Sequence, residues 1–181
     1  MLLLLLPMAA GAQLKPETLT TCAACHGPGG NSQVPQFPSL AGQPKVFVEN
    51  QLVLIREGMR EVPAMKDVMT GMSDETIVAL SKYFSEQKSA PSSGIVRPDS
   101  YRLGEELSKK MLCGTCHLAD YSGQNQVPRL AGQQEVFLIA TMKQFRDNPG
   151  LGRDTIMAAT LRGLSDADVA NLAQYFTNFA R

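Results

Sequence analysis

The chain has 181 residues, and its seventeen basic and seventeen acidic side chains cancel. Nucleic-acid-binding proteins usually carry a basic surplus, so this balance argues against a nucleic-acid partner. Aromatic residues make up only 6% of the chain and tryptophan is absent. A core built from protein alone would therefore be thin.

The first residues, MLLLLLPMAAGAQ, form a short apolar segment that ends in small residues. Ala10-Gly11-Ala12 matches the small-x-small pattern at which signal peptides are cleaved, although a basic start is missing. The segment is too short to cross a bilayer as a helix. The alternatives are an uncleaved anchor and a buried N-terminal helix. We interpret residues 1–12 as the remnant of a signal peptide and expect an exported protein that begins near Gln13.

The rest of the chain is an internal repeat. FPSLAGQ at 37–43 returns as VPRLAGQ at 127–133, and GMSDETIVALSKYF at 71–84 returns as GLSDADVANLAQYF at 163–176. The offset between the copies drifts only from 90 to 92 residues. A repeat that keeps its order in this way predicts a duplicated structural unit.

Between the copies, residues 89–98 read SAPSSGIVRP. A segment rich in Ser, Pro and Gly is typical of an extended linker. We therefore predict a first domain over 13–88, a linker over 89–99 and a second domain over 100–181.

Both halves have the patterns of helices. Ser73 and Ser165 are each followed by acidic residues and then by apolar residues at i, i+3 and i+7, which is the pattern of a capped amphipathic helix. A middle helix is predicted to start near Pro44, and a short helix is predicted before each cysteine pair, most clearly over 101–112. No region is rich in strand patterns. The predicted fold class is all-α, with small domains whose cores need a further component to fill them.

The chemically reactive residues are concentrated in two short motifs. CAACH spans residues 22–26 and CGTCH spans residues 113–117, and together they contain all four cysteines and both histidines of the chain. Two such scarce histidines placed directly after a Cys-x-x-Cys indicate that each motif works as a unit.

Four kinds of site use a Cys-x-x-Cys. A disulfide would close a very small loop, stabilise little and leave the histidines without a role. A thioredoxin-like dithiol normally lies in a βαβ unit, and a zinc site would lack its fourth ligand in each copy. Covalent haem attachment uses the whole motif, because the thiols bond to the vinyl groups and the histidine binds the iron. We predict two c-type haems with these thioether and proximal ligand residues: Cys22, Cys25, Cys113, Cys116, His26 and His117.

The second axial ligand of each haem iron is predicted from the residues that the two motifs leave available. Both histidines are used, so methionine is preferred over lysine, the N-terminus or an open site. Met65 and Met157 each lie eight residues before a capping serine, whereas Met69 is matched by Leu161 in the other copy. We predict Met65 and Met157 as the axial sulfur ligands, with Met69 as the alternative to Met65. A thioether closes the coordination sphere, which argues against haem enzyme chemistry.

Groups around the haem are predicted from the same repeat. A proximal imidazole usually donates its other N–H to a fixed acceptor. The backbone carbonyls of Pro38 and Pro128 are placed to accept this hydrogen bond. The alternative role of these prolines is turn formation. Polar side chains at matching positions of the two copies are candidates to meet the haem propionates: Gln43 with Gln133, and Arg56 with Arg146.

With these residues assembled, the chain resembles the bacterial di-haem cytochrome c4 family. The matching stretches are CAACHGPGGNS, FPSLAGQ, VPAM and MSD…YF in the first half, and CGTCH, VPRLAGQ, IM and LSDADVANLAQYF in the second. The first half departs from the family at its N-terminal helix, which is cut short at QLKPETLTT. The resemblance implies two tandem class I cytochrome c domains, each a small helical fold around a covalently bound haem.

The resemblance also implies a function. Members of the family are periplasmic electron carriers, often loosely associated with the membrane, that deliver electrons to terminal oxidases or other redox proteins. We therefore predict a single-electron carrier with redox partner proteins rather than an enzyme. One alternative is an electron-transfer subunit of a dehydrogenase complex, as in flavocytochrome sulfide dehydrogenases. A haem enzyme with a displaceable axial ligand is the less favoured one.

Overall fold

A computed structural model describes residues 14–91, 94–148, 150 and 152–179. The predicted signal peptide over 1–12 lies outside these residues. Within the described ranges the chain forms helices and no strand, apart from an isolated bridge between Gln124 and Val127. The prediction of an all-α fold is confirmed. None of the described helices is both long enough and apolar enough to span a membrane.

The elements of the first half follow the predicted order. They are helix α1 (Pro16–His26), a 3₁₀ turn (Pro28–Gly30), helix α2 (Lys45–Arg56), a second 3₁₀ turn (Pro63–Met65), helix α3 (Lys66–Met69) and helix α4 (Asp74–Glu86).

The second half repeats the order of the helices, with two helices instead of one in the region of the cysteine pair. They are helices α5 (Pro98–Lys110), α6 (Cys113–His117), α7 (Glu135–Asp147), α8 (Thr155–Leu161) and α9 (Asp166–Thr177).

The last helix of each half starts at the predicted serine. The Ser73 hydroxyl accepts a hydrogen bond from the Thr76 N–H. Ser165 and Asp168 form a complete capping box, in which each side chain accepts from the backbone N–H of the other residue. Each such cap is worth about 1 kcal/mol of helix stability, so both predicted helix starts are confirmed.

Each half has its own hydrophobic cluster, built on the predicted apolar face of its last helix. Helix α4 buries Ile77, Leu80 and Phe84 against Val48 and Leu52 of α2. The corresponding residues of α9 and α7 are buried in the second half: Val169, Leu172, Phe176, Leu138 and Met142. The helical periodicity therefore predicted the residues that the two last helices bury.

The two halves differ in the helix that precedes the cysteine pair. Helix α1 begins only six residues before Cys22 and continues through the motif. Helix α5 begins fifteen residues before Cys113 and ends before it, because Leu112 adopts a left-handed conformation with φ of 57° and separates α5 from α6. The second half therefore has a long helix that the described part of the first half lacks.

Helix α5 crosses α9 at very close range. A Cβ atom added to Gly104 would lie 2.1 Å from the carbonyl oxygen of Asn171 and 2.8 Å from the Cβ of Tyr175. Only glycine allows the two helix backbones to approach this closely.

The two halves are joined by a reciprocal exchange of hydrogen bonds. The Gln43 amide accepts from the Arg129 N–H at 2.9 Å and donates to the Arg129 carbonyl at 3.0 Å. The Gln133 amide accepts from the Ser39 N–H at 2.7 Å and donates to the Ser39 carbonyl at 2.9 Å. Ser39 and Arg129 occupy the same position of the repeat, so the two pairs are related by an approximate two-fold axis.

This interface corrects one prediction. Gln43 and Gln133 are 4% and 2% exposed, and both ends of each amide are used between the halves. The expectation that they meet haem propionates is therefore wrong. Further bonds cross the same interface: the Arg129 guanidinium donates to the Ala41 carbonyl, Gln134 donates to the Ser32 carbonyl, and the Phe137 N–H donates to the Pro35 carbonyl.

Replacement of Gly104 by alanine is expected to lower the free energy of unfolding by about 1–3 kcal/mol, because the added methyl forces α5 away from α9. The matched control is Gly114→Ala, where the nearest atom to the new Cβ lies 3.6 Å away and where the first copy already has Ala23. Denaturant unfolding of the haem-loaded protein measures both variants. Equal stability of the two variants would contradict the close crossing.

Gln133→Ala is expected to lower the free energy of unfolding by about 1–3 kcal/mol, because the buried N–H and carbonyl of Ser39 lose their partner. Gln126→Ala, which removes an exposed glutamine of the same loop, is the control and should change stability by less than about 0.5 kcal/mol. Urea titrations of both variants provide the comparison. A cost no larger than that of the control would show that the reciprocal bonds do not hold the halves together.

Candidate functional site

Each cysteine pair places its two thiols on one side of a helix. Cys22 and Cys25 are three residues apart on α1, and Cys113 and Cys116 are three apart on α6, a spacing that brings side chains to the same helix face. The first cysteine of each pair is half-buried against the hydrophobic cluster and the second is exposed. No disulfide joins the four thiols. The sulfurs are thus arranged along the boundary between core and solvent.

The chain turns sharply after each histidine. Gly27 ends α1 with φ of 76°, and a Cβ at this position would lie 2.1 Å from the Asn31 carbonyl oxygen. A side chain at residue 27 would collide with the following loop, so this position requires glycine. In the second half Leu118 takes the same left-handed region with φ of 68°, which is an unfavourable conformation for leucine and marks local strain. These turns bring the following loop back over the imidazole.

The returning loop contacts the imidazole in the same way in both halves. The Nδ1 atom of His26 lies 2.8 Å from the Pro38 carbonyl oxygen, and the Nδ1 atom of His117 lies 2.8 Å from the Pro128 carbonyl oxygen. A carbonyl oxygen can only accept, so Nδ1 carries the hydrogen in both rings. The Nε2 lone pair of each ring is left free for a metal ion.

The surroundings keep the imidazoles neutral. Each ring is 7% exposed, and this burial lowers the pKa of His26 and of His117 below the ordinary histidine value, although the hydrogen bond to the proline carbonyl acts in the opposite direction. A neutral imidazole is the form that binds iron.

The cysteine environments also bear on the kind of site. Burial raises the pKa of the Cys22 and Cys113 thiols, which disfavours the thiolates that a zinc site needs. Among the described residues, no three His, Cys, Asp or Glu side chains are close enough to hold a metal ion. A pair of thiols with one neutral imidazole fits covalent haem attachment.

The structure places the two predicted methionines in helical turns. Met65 ends the 3₁₀ turn Pro63–Met65, and Met157 lies in the first turn of α8. The Met157 N–H donates to the side chain of Asp154, which caps that helix, at 2.7 Å. Both methionines are partly buried against the cluster of their own half. Helix α8 was not predicted, because its apolar residues are too few to show a period.

The other methionines that could be considered as iron ligands lie in the cores or on the surface. Met69 is 1% exposed inside the first cluster, and Leu161 is 2% exposed at the matching place in the second. Met142 is part of the second core, and Met59 is on the surface. These positions favour Met65 over Met69 as the residue with a free sulfur.

Arg56 and Arg146 take a different role from the predicted contact with haem propionates. The Arg56 guanidinium donates to the Met72 carbonyl at 2.8 Å, and Arg146 donates to the Leu164 carbonyl at 2.9 Å. Each arginine also pairs with an aspartate in the first turn of the last helix. The hydrogen bond to Asp74 raises the pKa of Arg56, and hydrogen bonds to Asp147 and then to Asp166 raise the pKa of Arg146. In each half the arginine therefore connects the segment that follows the predicted methionine ligand to the last helix.

Two family models match the two halves. Residues 8–84 match the family described as cytochrome c oxidase, cbb3-type, subunit III, and residues 101–179 match the family described as cytochrome c. Each matched region contains one Cys-x-x-Cys-His motif.

Similarity to known proteins extends over nearly the whole chain. Cytochrome c4 of Pseudomonas aeruginosa is 32% identical, over 92% of this chain and 86% of its own length. A protein of Thiomonas intermedia named thiosulfate dehydrogenase electron acceptor is 28% identical, over 92% of this chain and 82% of its own. The crystal structure of reduced cytochrome c4 from Pseudomonas stutzeri is similar with a TM-score of 0.84 and 29% identity, covering 91% of this chain and 96% of that one.

These similarities and the arrangement of the motifs agree. The two cytochrome c domains carry two covalently bound haem c groups, attached through the cysteine pairs of residues 22–25 and 113–116. The predicted cofactor is therefore confirmed. The chain belongs to the di-haem cytochrome c4 family of electron-transfer proteins.

Proposed function

We propose that this chain is a periplasmic single-electron carrier whose haem irons are ligated by His26 with Met65 and by His117 with Met157. The observation that carries the proposal is the repeated contact of 2.8 Å between Nδ1 of the motif histidine and a proline carbonyl. The same contact in both halves orients two neutral imidazoles in the same way, as proximal ligands require.

The protein groups hold the haem in position and adjust its reduction potential, while haem iron, when bound, takes up and releases the single electron. Pro38 and Pro128 fix the ring and its tautomer, and their carbonyls increase the electron donation of the imidazole. Met65 and Met157 would each supply a thioether ligand, which favours reduced iron and leaves no coordination position for an external ligand. The site is therefore suited to electron transfer rather than to the binding of oxygen or peroxide.

The choice of methionines is supported by the repeat. Met65 and Met157 are both half-buried and stand at matching places before the last helix. At the Met69 position the second copy has a leucine, which cannot ligate iron, and both residues are fully packed in the core.

The contact between the two halves supports electron transfer from one haem-binding unit to the other. The reciprocal bonds of Gln43 and Gln133 hold the two haem-binding units in one arrangement, so an electron received by one unit has a fixed route to the other. We propose domains over 13–88 and 100–181, with a linker over 89–99, for these two units.

The periplasm and the partners are proposed from the sequence and the cofactor. Haem c is attached outside the cytoplasm in bacteria, and the leader-like start of the chain is consistent with export. A terminal oxidase is the proposed electron acceptor, with peripheral association at the membrane.

A second candidate is the acceptor of electrons from a dehydrogenase. It is favoured by the relative from Thiomonas intermedia, whose name is thiosulfate dehydrogenase electron acceptor. The two candidates differ in which partner exchanges electrons with the chain at a useful rate.

Met157→Ala is expected to lower the reduction potential of the second haem and to open its iron to external ligands, because the sulfur that favours reduced iron is lost. The near-infrared sulfur-to-iron band of the oxidised protein should lose half of its intensity. A spectrum equal to that of the wild type would remove Met157 from the assignment.

Met65→Ala is expected to have the same effect on the first haem. The matched control is Met69→Leu, which introduces the residue that the second copy has at this position and should leave the band unchanged. A band lost in Met69→Leu and kept in Met65→Ala would assign Met69 as the ligand instead.

The partner is tested by rapid-mixing spectroscopy of the purified chain. We expect the reduced protein to be reoxidised by membranes that contain a terminal oxidase, in a reaction that cyanide blocks. Rapid reduction by thiosulfate dehydrogenase with thiosulfate, without reoxidation by the membranes, would favour the dehydrogenase candidate. Slow reaction with both would contradict both assignments.

A further inference from the structure

A cleft of about 300 Å³ lies between the two halves, apart from the reciprocal glutamine contacts. Its walls come from residues 58–61, after α2 in the first half, and from the end of α7 with Gly150 and Arg153 in the second. Its lining residues include Met59, Arg60, Glu61, Gln144, Asn148 and Arg153. The halves touch closely here, since a Cβ added to Gly152 would lie 2.5 Å from the Met59 carbonyl oxygen.

Two arginines in this cleft lack an anionic partner among the residues that the structure describes. Within the described residues, no carboxylate lies within ion-pair distance of Arg60 or Arg153, although Glu61 also lines the cleft. Arg60 donates to the side-chain oxygen of Gln51, and Arg153 donates to that of Gln144. The Nε atom of Arg60 is buried and has no hydrogen-bond partner.

This arrangement is costly without an anion. A donor N–H that is shielded from water and has no partner costs free energy, and the buried Nε of Arg60 is such a group. Burial, together with the nearby charge of Arg153, lowers the pKa of Arg60 to about 10, and burial also lowers the pKa of Arg153. Two half-buried cations of like sign therefore face one cleft, which an anion would stabilise.

The position of the arginines in the repeat indicates which anion. Arg60 lies five residues before Met65, and Arg153 lies four residues before Met157. Each arginine thus begins the segment that carries a proposed iron ligand. Haem c carries its propionate carboxylates on the edge opposite the vinyl groups, and a guanidinium binds a carboxylate through two parallel hydrogen bonds.

We propose that this cleft is a carboxylate site in which Arg60 and Arg153 neutralise the propionates of the two haems. The proposal rests on the axial assignment of Met65 and Met157 given above. Arg60 and Arg153 thus take the role of propionate partners that the sequence had predicted for Gln43 with Gln133 and for Arg56 with Arg146. The polar atoms of the two glutamines bond across the interface, and those of Arg56 and Arg146 bond to the segments that carry the methionines. Because the cleft belongs to both halves, each arginine acts on both haems.

A cation next to haem disfavours oxidised iron, which carries the additional positive charge. Arg60→Gln and Arg153→Gln are therefore expected to lower both reduction potentials. Controls are Lys66→Gln and Arg162→Gln, which each remove an exposed cation close in sequence to one of the methionines. In a spectroscopic redox titration, the shifts of the cleft variants should be several times those of the controls. Arg60→Lys should keep most of the wild-type potential, because it retains the charge.

The same titrations can overturn the proposal. Shifts no larger than those of the controls would contradict it, as would a shift confined to one haem. The near-infrared sulfur-to-iron band is recorded for each variant: its loss would show that the axial ligand, and not the counter-charge, had changed, and would also contradict the proposal. A wild-type protein without this band would overturn the axial assignment itself.

A second measurement identifies the source of the carboxylate or other anion. The wild-type titration is repeated with chloride replaced by inorganic phosphate at constant ionic strength. Covalently attached propionates already occupy the cleft, so the potentials should not change. A phosphate-dependent shift in the wild type that disappears in the Arg60→Gln Arg153→Gln double variant would assign the cleft to a soluble anion and contradict the haem as its source.

Discussion

One peptide group in each half connects the histidine of the Cys-x-x-Cys-His motif to the opposite half of the molecule. The carbonyl of the Pro38–Ser39 peptide accepts from His26, and the N–H of the same peptide donates to Gln133. Hydrogen bonds in such a chain polarise one another. The strength with which the proline carbonyl holds the imidazole is therefore coupled to a bond that crosses between the halves.

The second half has the same connection. The Pro128 carbonyl accepts from His117, and the following N–H, of Arg129, donates to Gln43. The loop that orients each imidazole is thus also the loop that joins the halves. A glycine or strained leucine turn after each histidine returns this loop to the ring, and the glutamine five residues after the proline reaches across to the other copy.

Much of this arrangement could be predicted from the sequence, because it depends on contacts between residues close in the chain or on strong periodicity. The serine caps, the apolar faces of α4 and α9, and the attachment motifs are of this kind. The interface was not predictable in this way. Gln43 and Gln133 are polar residues in a repeated loop, and nothing local distinguishes a glutamine that faces a haem from one that binds the other copy. Arg60 and Arg153 were missed for a similar reason, although an arginine within five residues before each of the two methionines was a usable signal.

The interface contains two kinds of contact with opposite consequences. The glutamine pairs are neutral and satisfied, so they join the halves without any cofactor. Arg60 and Arg153 carry like charges into the same interface, and the charge of Arg153 is one cause of the lowered pKa of Arg60. On the proposed assignment, propionates convert this repulsion into attraction. Attachment of the haems then completes the contact between the halves as well as the two cores, and haem loading and domain pairing stabilise each other.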